Sequence, residues 1–218
     1  MKISTFISYI LFTLNLLPAQ IGGNSTYQFL NLISSPRQAA LGGKVITNVD
    51  YDVSQALYNP ATINIDMDNQ LALNYVNFLG DISYGTAAYA YTVDRRTQTF
   101  HIGVTFVDYG NFDGYDENGN STGSFSGNES SISFGYALQL GFSNFYAGAN
   151  LKLISSKLEQ YASFGGAIDL GLVYIDNYLD FNAAIVFRNL GIQFTTYAGL
   201  NEPLPFEIDL GFSQKLQF

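Results

Sequence analysis

The sequence predicts an all-β protein, specifically an antiparallel transmembrane β-barrel preceded by a short N-terminal helical segment. Three observations support this fold class. The N-terminus resembles an export signal, the remaining composition is rich in aromatic residues and poor in charge, and from residue 70 onward bulky apolar residues alternate with small or polar ones. Alternating segments of about ten residues, separated by turn residues, are typical of membrane barrels.

Residues 1–19 have the layout of a secretory signal peptide. Lys2 supplies a positive charge, residues 3–17 are almost wholly apolar, and Ala19 is the small residue at the end of this stretch. The apolar core of about 15 residues is shorter than the ~20 residues that a membrane-spanning helix needs. We therefore expect residues 1–19 to be removed after export, with retention as a membrane anchor as the less favoured alternative.

The composition favours a lipid environment and excludes several classes of protein. Hydrophobic residues make up 47% of the chain and charged residues 12%, about half the charged share of ~25% in soluble domains. The absence of cysteine excludes disulfides, a thiol nucleophile and a lipoprotein anchor. A net charge of −9 argues against nucleic acid as a partner. Because no later window holds 18 consecutive apolar residues, the mature chain could cross a bilayer only as a closed barrel.

Residues 20–69 show no sustained alternation and are predicted to form a hatch, a segment that folds into or against the barrel mouth. Ser35 as N-cap, Pro36 in the first turn and the pair Gly42-Gly43 at the end predict a short helix. The motif Asn59, Pro60 and Ala61 predicts a turn or an extended path. Its role is predicted to be structural.

Residues 70–218 are predicted to form the barrel wall. The alternating segments lie at 70–79, 83–93, 99–108, 131–142, 145–155, 166–174, 181–188 and 205–216. Ionisable residues keep to the face opposite the bulky apolar residues, which should be the inward face; they are Lys152, Asp169, Arg188, Glu207 and Asp209. Lys152 and Asp169 fall on neighbouring strands, so a lumen salt bridge is favoured there over a functional ionisable pair.

Short and long connections alternate between the predicted strands. Residues 94–97, 143–144 and 176–177 are tight turns, whereas residues 109–130, 156–165 and 190–204 are predicted to be long loops on the extracellular side. The first long loop carries Phe112, Tyr115 and Phe125, which are candidates for contact with a partner. It also contains acidic and amide side chains that suggest a calcium site, but a solvated loop is favoured because the spacing matches no known calcium loop; these residues are Asp113, Asp116, Glu117 and Asn118.

The sequence predicts no catalytic residue, no cofactor and no metal site. His101 is the only histidine and lies at an inward position of the third predicted strand, so a catalytic triad would have to use it. No neighbouring pattern supports a triad, and a lumen-filling or hydrogen-bonded role is favoured. No serine stands three residues before a lysine, and no glycine-rich phosphate loop is present.

Several motifs resemble the PorQ family, outer-membrane components of the type IX secretion system. They are residues 29–43, with Ser-Pro-Arg-Gln-Ala-Ala-Leu-Gly-Gly, and residues 56–61, with Ala-Leu-Tyr-Asn-Pro-Ala. Residues 167–172, 188–191 and 204–212 also resemble the wider FadL-like barrel family. The resemblance covers nearly the whole mature chain.

The resemblance implies a protein that anchors a PorZ-like surface partner used in cargo export and attachment, with lipid around its wall. Barrels of this family have more strands than the eight counted here, so the chain is expected to be the first part of a larger barrel, although a small complete barrel stays open. One alternative is a FadL-like channel for hydrophobic small molecules, whose lumen should be apolar. The other is an outer-membrane lipid-acting enzyme that would depend on His101.

Overall fold

The computed structural model describes residues 25–94, 98–141 and 143–215. They form one antiparallel sheet of eight strands, which confirms the prediction of an antiparallel all-β chain. The strands are β1 (Leu71–Asn77), β2 (Ser83–Asp94), β3 (Gln98–Tyr115), β4 (Ser121–Gln139), β5 (Phe145–Leu158), β6 (Tyr161–Asp176), β7 (Phe181–Thr195) and β8 (Glu207–Gln214). The predicted signal peptide and the predicted strand residues Phe142 and Leu216 lie outside the described residues.

Period-two alternation produces two unlike faces of the sheet. In β4, Ser131 and Ser133 are 4% and 3% exposed, whereas Ile132 and Phe134 are 42% and 49% exposed. Successive side chains of a strand point to opposite faces, so every strand contributes to both. We call the face that carries Ser131 and Ser133 the inner face, and the opposite one the outer face.

Two of the predicted long loops are wrong, because the structure continues the strands through them, and the third begins later than predicted, because β7 extends to Thr195. β3 and β4 stay paired from Thr99↔Ala137 to Tyr115↔Ser121, with two register shifts, and only residues 116–120 form the turn. β5 and β6 pair as far as Leu158↔Tyr161. Cross-strand backbone hydrogen bonds do not need an apolar face, so polar residues extend these hairpins where the hydrophobic alternation fades.

The N-terminal segment, residues 25–69, consists of short helical turns. Helix α1 (Pro36–Ala40) follows Ser35, whose hydroxyl accepts a hydrogen bond from the Gln38 N–H group, as an N-cap does. Four 3-10 turns cover Gln28–Asn31, Val53–Leu57, Pro60–Thr62 and Ile65–Met67. A fifth, Leu79–Asp81, joins β1 to β2.

This segment lies on the inner face and contacts all eight strands. The contacts are Ser54–Asn74 (β1), Ser34–Thr86 (β2), Leu57–Gly103 (β3), Ile63–Gly135 (β4), Ala56–Asn150 (β5), Tyr27–Ser163 (β6), Thr47–Asn182 (β7) and Lys44–Glu207 (β8). Most of them are hydrogen bonds to side chains of the inner face, which satisfies polar groups that would otherwise be buried without partners.

The apolar core is divided into small clusters between the segment and the sheet. The largest contains Tyr27 and Phe29 of the segment with Val107 and Ile154 of the sheet. A second joins Ile46 and Ala61 to Val173, Ala184 and Val186. The inner face is therefore held by dispersed apolar contacts and by many hydrogen bonds.

The outer face keeps its bulky side chains exposed on every strand. Representatives from β1 to β8 are Leu73, Tyr91, Phe100, Phe134, Leu151, Leu170, Ile192 and Leu210. Within the described residues, β1 pairs with β2 alone and β8 pairs with β7 alone. The sheet thus has two strand edges and one continuous apolar face.

Candidate functional site

The structure brings Lys152 of β5 and Asp169 of β6 together on the inner face. Their Nζ and Oδ2 atoms are 2.7 Å apart, and both side chains are almost completely buried. Register places Lys152 opposite Ala167 and Asp169 opposite Asn150, so the ion pair is diagonal across two paired strands. A buried charge needs such a partner, since an isolated one costs several kcal/mol in the interior.

Arg188, Glu207 and Asp209 also meet on the inner face. Arg188 of β7 is 1% exposed; its Nε atom lies 2.7 Å from Asp209 Oδ2, and its Nη2 atom donates to Glu207 of β8. Lys44 of the N-terminal segment is 2.6 Å from the same Glu207 carboxylate. One guanidinium and one ammonium group therefore share two carboxylates at the β7–β8 edge.

Asn189 joins the two ionic groups into one network. Its side-chain oxygen accepts from Lys152 Nζ at 2.9 Å, its backbone N–H donates to Asp169 Oδ1 at 2.8 Å, and its Nδ2 atom donates to the Pro205 carbonyl at 3.0 Å. The φ angle of Asn189 is +58°, where β6 and β7 shift register between Ile168 and Leu170. Asparagine tolerates this left-handed conformation better than most residues do.

The network also contains three residues that are not predicted from the sequence, namely Asn189, Lys44 and Asn31. Lys44 Nζ donates to Asn31 Oδ1 at 3.2 Å, and Asn189 Nδ2 approaches the same oxygen at 3.4 Å. Lys44 and Asn31 lie more than 100 residues from Glu207, so no local pattern could have found them. The bulge at Asn189 interrupts the alternation and is the one local signal that was present.

The network carries three cationic and three anionic side chains, which are Lys44, Lys152, Arg188, Asp169, Glu207 and Asp209. It connects β5, β6, β7, β8 and the N-terminal segment. A balanced, hydrogen-bonded network of this kind links the strands to one another and the segment to the sheet. Each charged group in it faces a partner of opposite charge.

The Asn59-Pro60-Ala61 motif lies at the centre of the inner face. Asn59 is fully buried; its Nδ2 atom donates to the Ile46 carbonyl at 2.7 Å and its Oδ1 atom accepts from the Ala61 N–H at 2.9 Å. The Pro60 carbonyl packs against Gly148 of β5, where an added Cβ atom would lie 2.3 Å from the oxygen. The close packing of the motif on the sheet therefore depends on a glycine at position 148.

His101 is 3% exposed on β3, and neither of its ring nitrogens has a hydrogen-bond partner within the described residues. Beside it across the sheet are Gly135 and then Asn150, which are register partners. A base that activates a nucleophile must lie within hydrogen-bond reach of it. Among the described residues, no hydroxyl or carboxylate lies within hydrogen-bond distance of either ring nitrogen of His101.

The three partner-contact candidates occupy different positions on the β3–β4 hairpin. Phe112 and Phe125 are register partners, and their rings stack with centroids 5.4 Å apart. Tyr115 stands at the end of β3, 65% exposed. Phe112 and Phe125 line an apolar cavity of about 460 Å³, and Tyr115 does not.

Asp116 closes the turn of this hairpin. It accepts hydrogen bonds from the backbone N–H groups of Asn118 and Asn120, and its Oδ2 atom accepts from the Asn120 side chain at 2.9 Å. The Asn120 side chain and these N–H groups hold the pKa of Asp116 below its ordinary value. In the part of the chain that the structure describes, no group of three or more candidate ligands is placed to hold a metal ion.

Comparisons with known protein families, with curated proteins and with solved structures find no match to this chain. Among the described residues, no helix has the length and apolar character needed to span a membrane.

Proposed function

We propose that this protein resides in the bacterial outer membrane, with the outer face of its sheet against lipid, and that it anchors a PorZ-like surface partner of the type IX secretion system. The observation that carries the membrane part is the inversion of the two faces. Bulky apolar side chains are exposed on all eight strands, while the polar inner face is buried under the N-terminal segment. Monomeric soluble proteins rarely expose apolar patches larger than a few hundred Å².

A water-soluble sandwich would need the opposite arrangement. Its polar face would meet water and its bulky face would pack on a second sheet. Here the bulky face has no covering element in the described residues, and the second layer, residues 25–69, lies on the polar face. Hydrocarbon is the medium that suits the exposed face.

The proposal requires that the free edges of β1 and β8 be paired in the membrane, either with each other or with further strands. Lipid offers no hydrogen bonds to unpaired backbone groups, so an open edge costs several kcal/mol for each one. The paired edges would complete a barrel wall around residues 25–69.

The secretion part rests on the resemblance of residues 29–43 and 56–61 to the PorQ family. The motif Asn59, Pro60 and Ala61 is buried, and Asn59 and Ala61 are at most 2% exposed. Its role is therefore in packing the fold and not in contacting a surface partner. Contact with a surface partner must then fall on exposed residues, and the long hairpins β3–β4 and β5–β6 are the candidates.

The membrane part is tested by flotation of the full chain with liposomes, combined with gel mobility before and after heating. We expect co-flotation and a folded band that changes mobility on heating. A folded chain that stays out of the liposomes would contradict the proposal.

The secretion part is tested by deleting the gene in its source bacterium. We expect the PorZ-like partner to be lost from the cell surface and cargo attachment to fall, with both restored by the intact gene. Unchanged retention of the partner in the deletion strain would show that the anchoring role is wrong.

A further inference from the structure

The sheet forks where the two long hairpins part. β4 and β5 pair as far as Gly127↔Leu158, and a hydrogen bond from the Glu159 N–H group to the Ser126 carbonyl, 2.9 Å long, lies next to this last pair. Beyond it, the β3–β4 hairpin continues as far as Tyr115↔Ser121, whereas the β5–β6 hairpin ends in the turn at Glu159 and Gln160. The apolar cavity of about 460 Å³, which we call the fork pocket, lies where the two hairpins part, on the inner-face side of both.

The walls of the fork pocket are aromatic and aliphatic, with polar groups at its edge. One wall is the stacked pair Phe112 and Phe125, and the other is Leu158 with Tyr161; Glu159 and Ser126 also line it. All four apolar side chains are between 39% and 45% exposed, so the pocket is open. Its volume falls within the ~300–1,000 Å³ of typical ligand sites.

The floor of the fork pocket is fixed by hydrogen bonding and packing. Tyr109 donates from its hydroxyl to Glu129 Oε2 at 2.5 Å and packs beside the cluster of Tyr27 and Phe29. Glu129 is 5% exposed. The base of the pocket, at Tyr109, therefore packs against the N-terminal segment.

The β3–β4 hairpin on one side of the fork pocket is acidic, and Lys157, the nearest cation on β5, alternates onto the face opposite Leu158. Residues 98–139, which contain the whole β3–β4 hairpin, include five acidic residues and no lysine or arginine; the acidic residues are Asp108, Asp113, Asp116, Glu117 and Glu129. Glu159 adds a further carboxylate at the pocket wall. An apolar pocket in an acidic field selects a ligand that combines a bulky apolar group with positive charge.

We propose that the fork pocket docks a segment of a protein partner in which a bulky apolar side chain is flanked by lysine or arginine. The apolar side chain occupies the space between Phe125 and Leu158, and the basic side chains lie toward Glu159 and the acidic hairpin. The docking surface rests on the proposed anchoring function, for which it supplies the site and the chemistry of the partner. Of the three partner-contact candidates, the pocket includes Phe112 and Phe125 but not Tyr115.

The test measures binding of fluorescent peptides to the full chain, folded and kept in solution by a nonionic amphipathic polymer. The probe is a peptide centred on Arg-Phe-Arg, compared with Glu-Phe-Glu and Arg-Ala-Arg peptides of the same length. We expect saturable binding of the first, at least about tenfold weaker binding of the other two, and loss of affinity as salt is raised. Equal binding of the Glu-Phe-Glu peptide, or no saturable binding of the Arg-Phe-Arg peptide, would overturn the proposal.

Two matched pairs of variants locate the site. Phe125→Ala should weaken binding of the Arg-Phe-Arg peptide about tenfold, while Tyr115→Ala, an aromatic truncation on the same hairpin, should change it less than about twofold. Glu159→Gln should weaken binding more than Glu117→Gln at the hairpin turn. Circular dichroism and heat-dependent gel mobility establish that each variant is folded, and Leu158→Ala provides a second test of the wall if Phe125→Ala unfolds the hairpin. Equal effects within the pairs would overturn the proposed location.

The competing occupant is a hydrophobic small molecule. A long-chain fatty acid that displaces the Arg-Phe-Arg peptide from the folded chain, and binds more tightly than it, would assign the pocket to lipid and overturn a protein partner. Liposome flotation is measured on the same preparation. A chain that enters liposomes without binding the peptide contradicts the pocket alone, whereas one that binds the peptide and stays out of liposomes contradicts the membrane function alone.

Discussion

The two faces of one strand, β5, place opposite residue types in the interior and at the surface. On the inner face Lys152 is 5% exposed and Ile154 is fully buried, whereas Leu151 and Leu153 on the outer face are 51% and 42% exposed. A lysine is thus more buried than the leucines beside it. In this sheet, whether a side chain is buried depends on the face it occupies and not on whether it is apolar. Polar groups of the inner face are buried with hydrogen-bond partners, whereas apolar groups of the outer face are exposed to the surrounding medium.

The two faces should therefore respond differently to substitution. Inner positions are specified one by one, because each polar group has a particular partner in the sheet or in residues 25–69. If the outer face contacts hydrocarbon as proposed, outer positions should be specified only by apolar character, because hydrocarbon has no fixed partners to lose.

The largest effect is expected from breaking the buried ion pair. Lys152→Met should lower the free energy of unfolding by about 3–5 kcal/mol, since it leaves the Asp169 carboxylate buried without its cation. Lys157→Met, on the exposed outer side of β5, is the matched control and should cost little. The measurement is urea unfolding of the folded chain in nonionic detergent. A Lys152→Met chain as stable as the control would show that the inner network does not hold the strands.

A charge on the outer face should have the next largest effect. Leu151→Arg, near the middle of β5, should lower stability in a bilayer by about 2–4 kcal/mol, because arginine is costly on a lipid-facing position. Leu151→Phe keeps the position apolar and serves as control. Unfolding is compared in liposomes and in detergent. If Leu151→Arg is as stable as Leu151→Phe in liposomes, the outer face does not contact hydrocarbon.

The third prediction concerns the contact between β5 and the Asn59-Pro60-Ala61 motif. Gly148→Ala places a Cβ atom 2.3 Å from the Pro60 carbonyl oxygen, so the backbone must shift, at a cost of about 1–3 kcal/mol. Ala149→Val adds two methyl groups on the outer face of the same strand, keeps that position apolar and should be nearly neutral. Urea unfolding gives the stabilities, and protease cleavage within residues 25–69 reports release of the segment. Equal stability of the two variants would contradict a close contact at Gly148.

The smallest effect is a pH dependence of stability that comes from Asp50, at the exposed edge of the N-terminal segment. Burial raises the pKa of Asp50, but hydrogen bonds from Arg37 and from the Asp52 N–H group outweigh it and hold this pKa below the ordinary 3.8. A carboxyl group with a lowered folded-state pKa stabilises the fold above its unfolded pKa, and this stability is lost as the pH falls through the folded value. Because Arg37 is partly exposed, the contribution should be under about 1 kcal/mol.

Arg37→Gln tests this pH dependence. Unfolding at about pH 6 and at about pH 3 should show a smaller loss of stability for the variant than for the unchanged chain, because the variant has less to lose on protonation. An identical loss in both chains would mean that Asp50 does not depend on Arg37.

The strand count, the two faces and the strand residues of the ionic network could be predicted from the sequence. Alternation is a local property of the chain, so the sequence of β4 predicts that Ile132 and Ser133 lie on opposite faces. Lys152, Asp169, Arg188, Glu207 and Asp209 stood out because each is an ionisable residue at an inward position. The ends of the β3–β4 hairpin could not be predicted, because residues 109–130 are mostly polar and polar residues occur in solvated loops as well as in exposed hairpins.

Only the tertiary structure decided which groups pair and what fills the inner face. Lys44 reaches Glu207 across 163 residues, and Asn189 links the Lys152–Asp169 pair to Lys44 through Asn31, a connection that the alternation along β7 does not show. The fork pocket likewise depends on where two hairpins part, so Phe125 and Leu158 become neighbours while Tyr115 does not. Alternation along one strand determines faces, whereas partners across strands depend on register, which is set by all the contacts of the folded chain together.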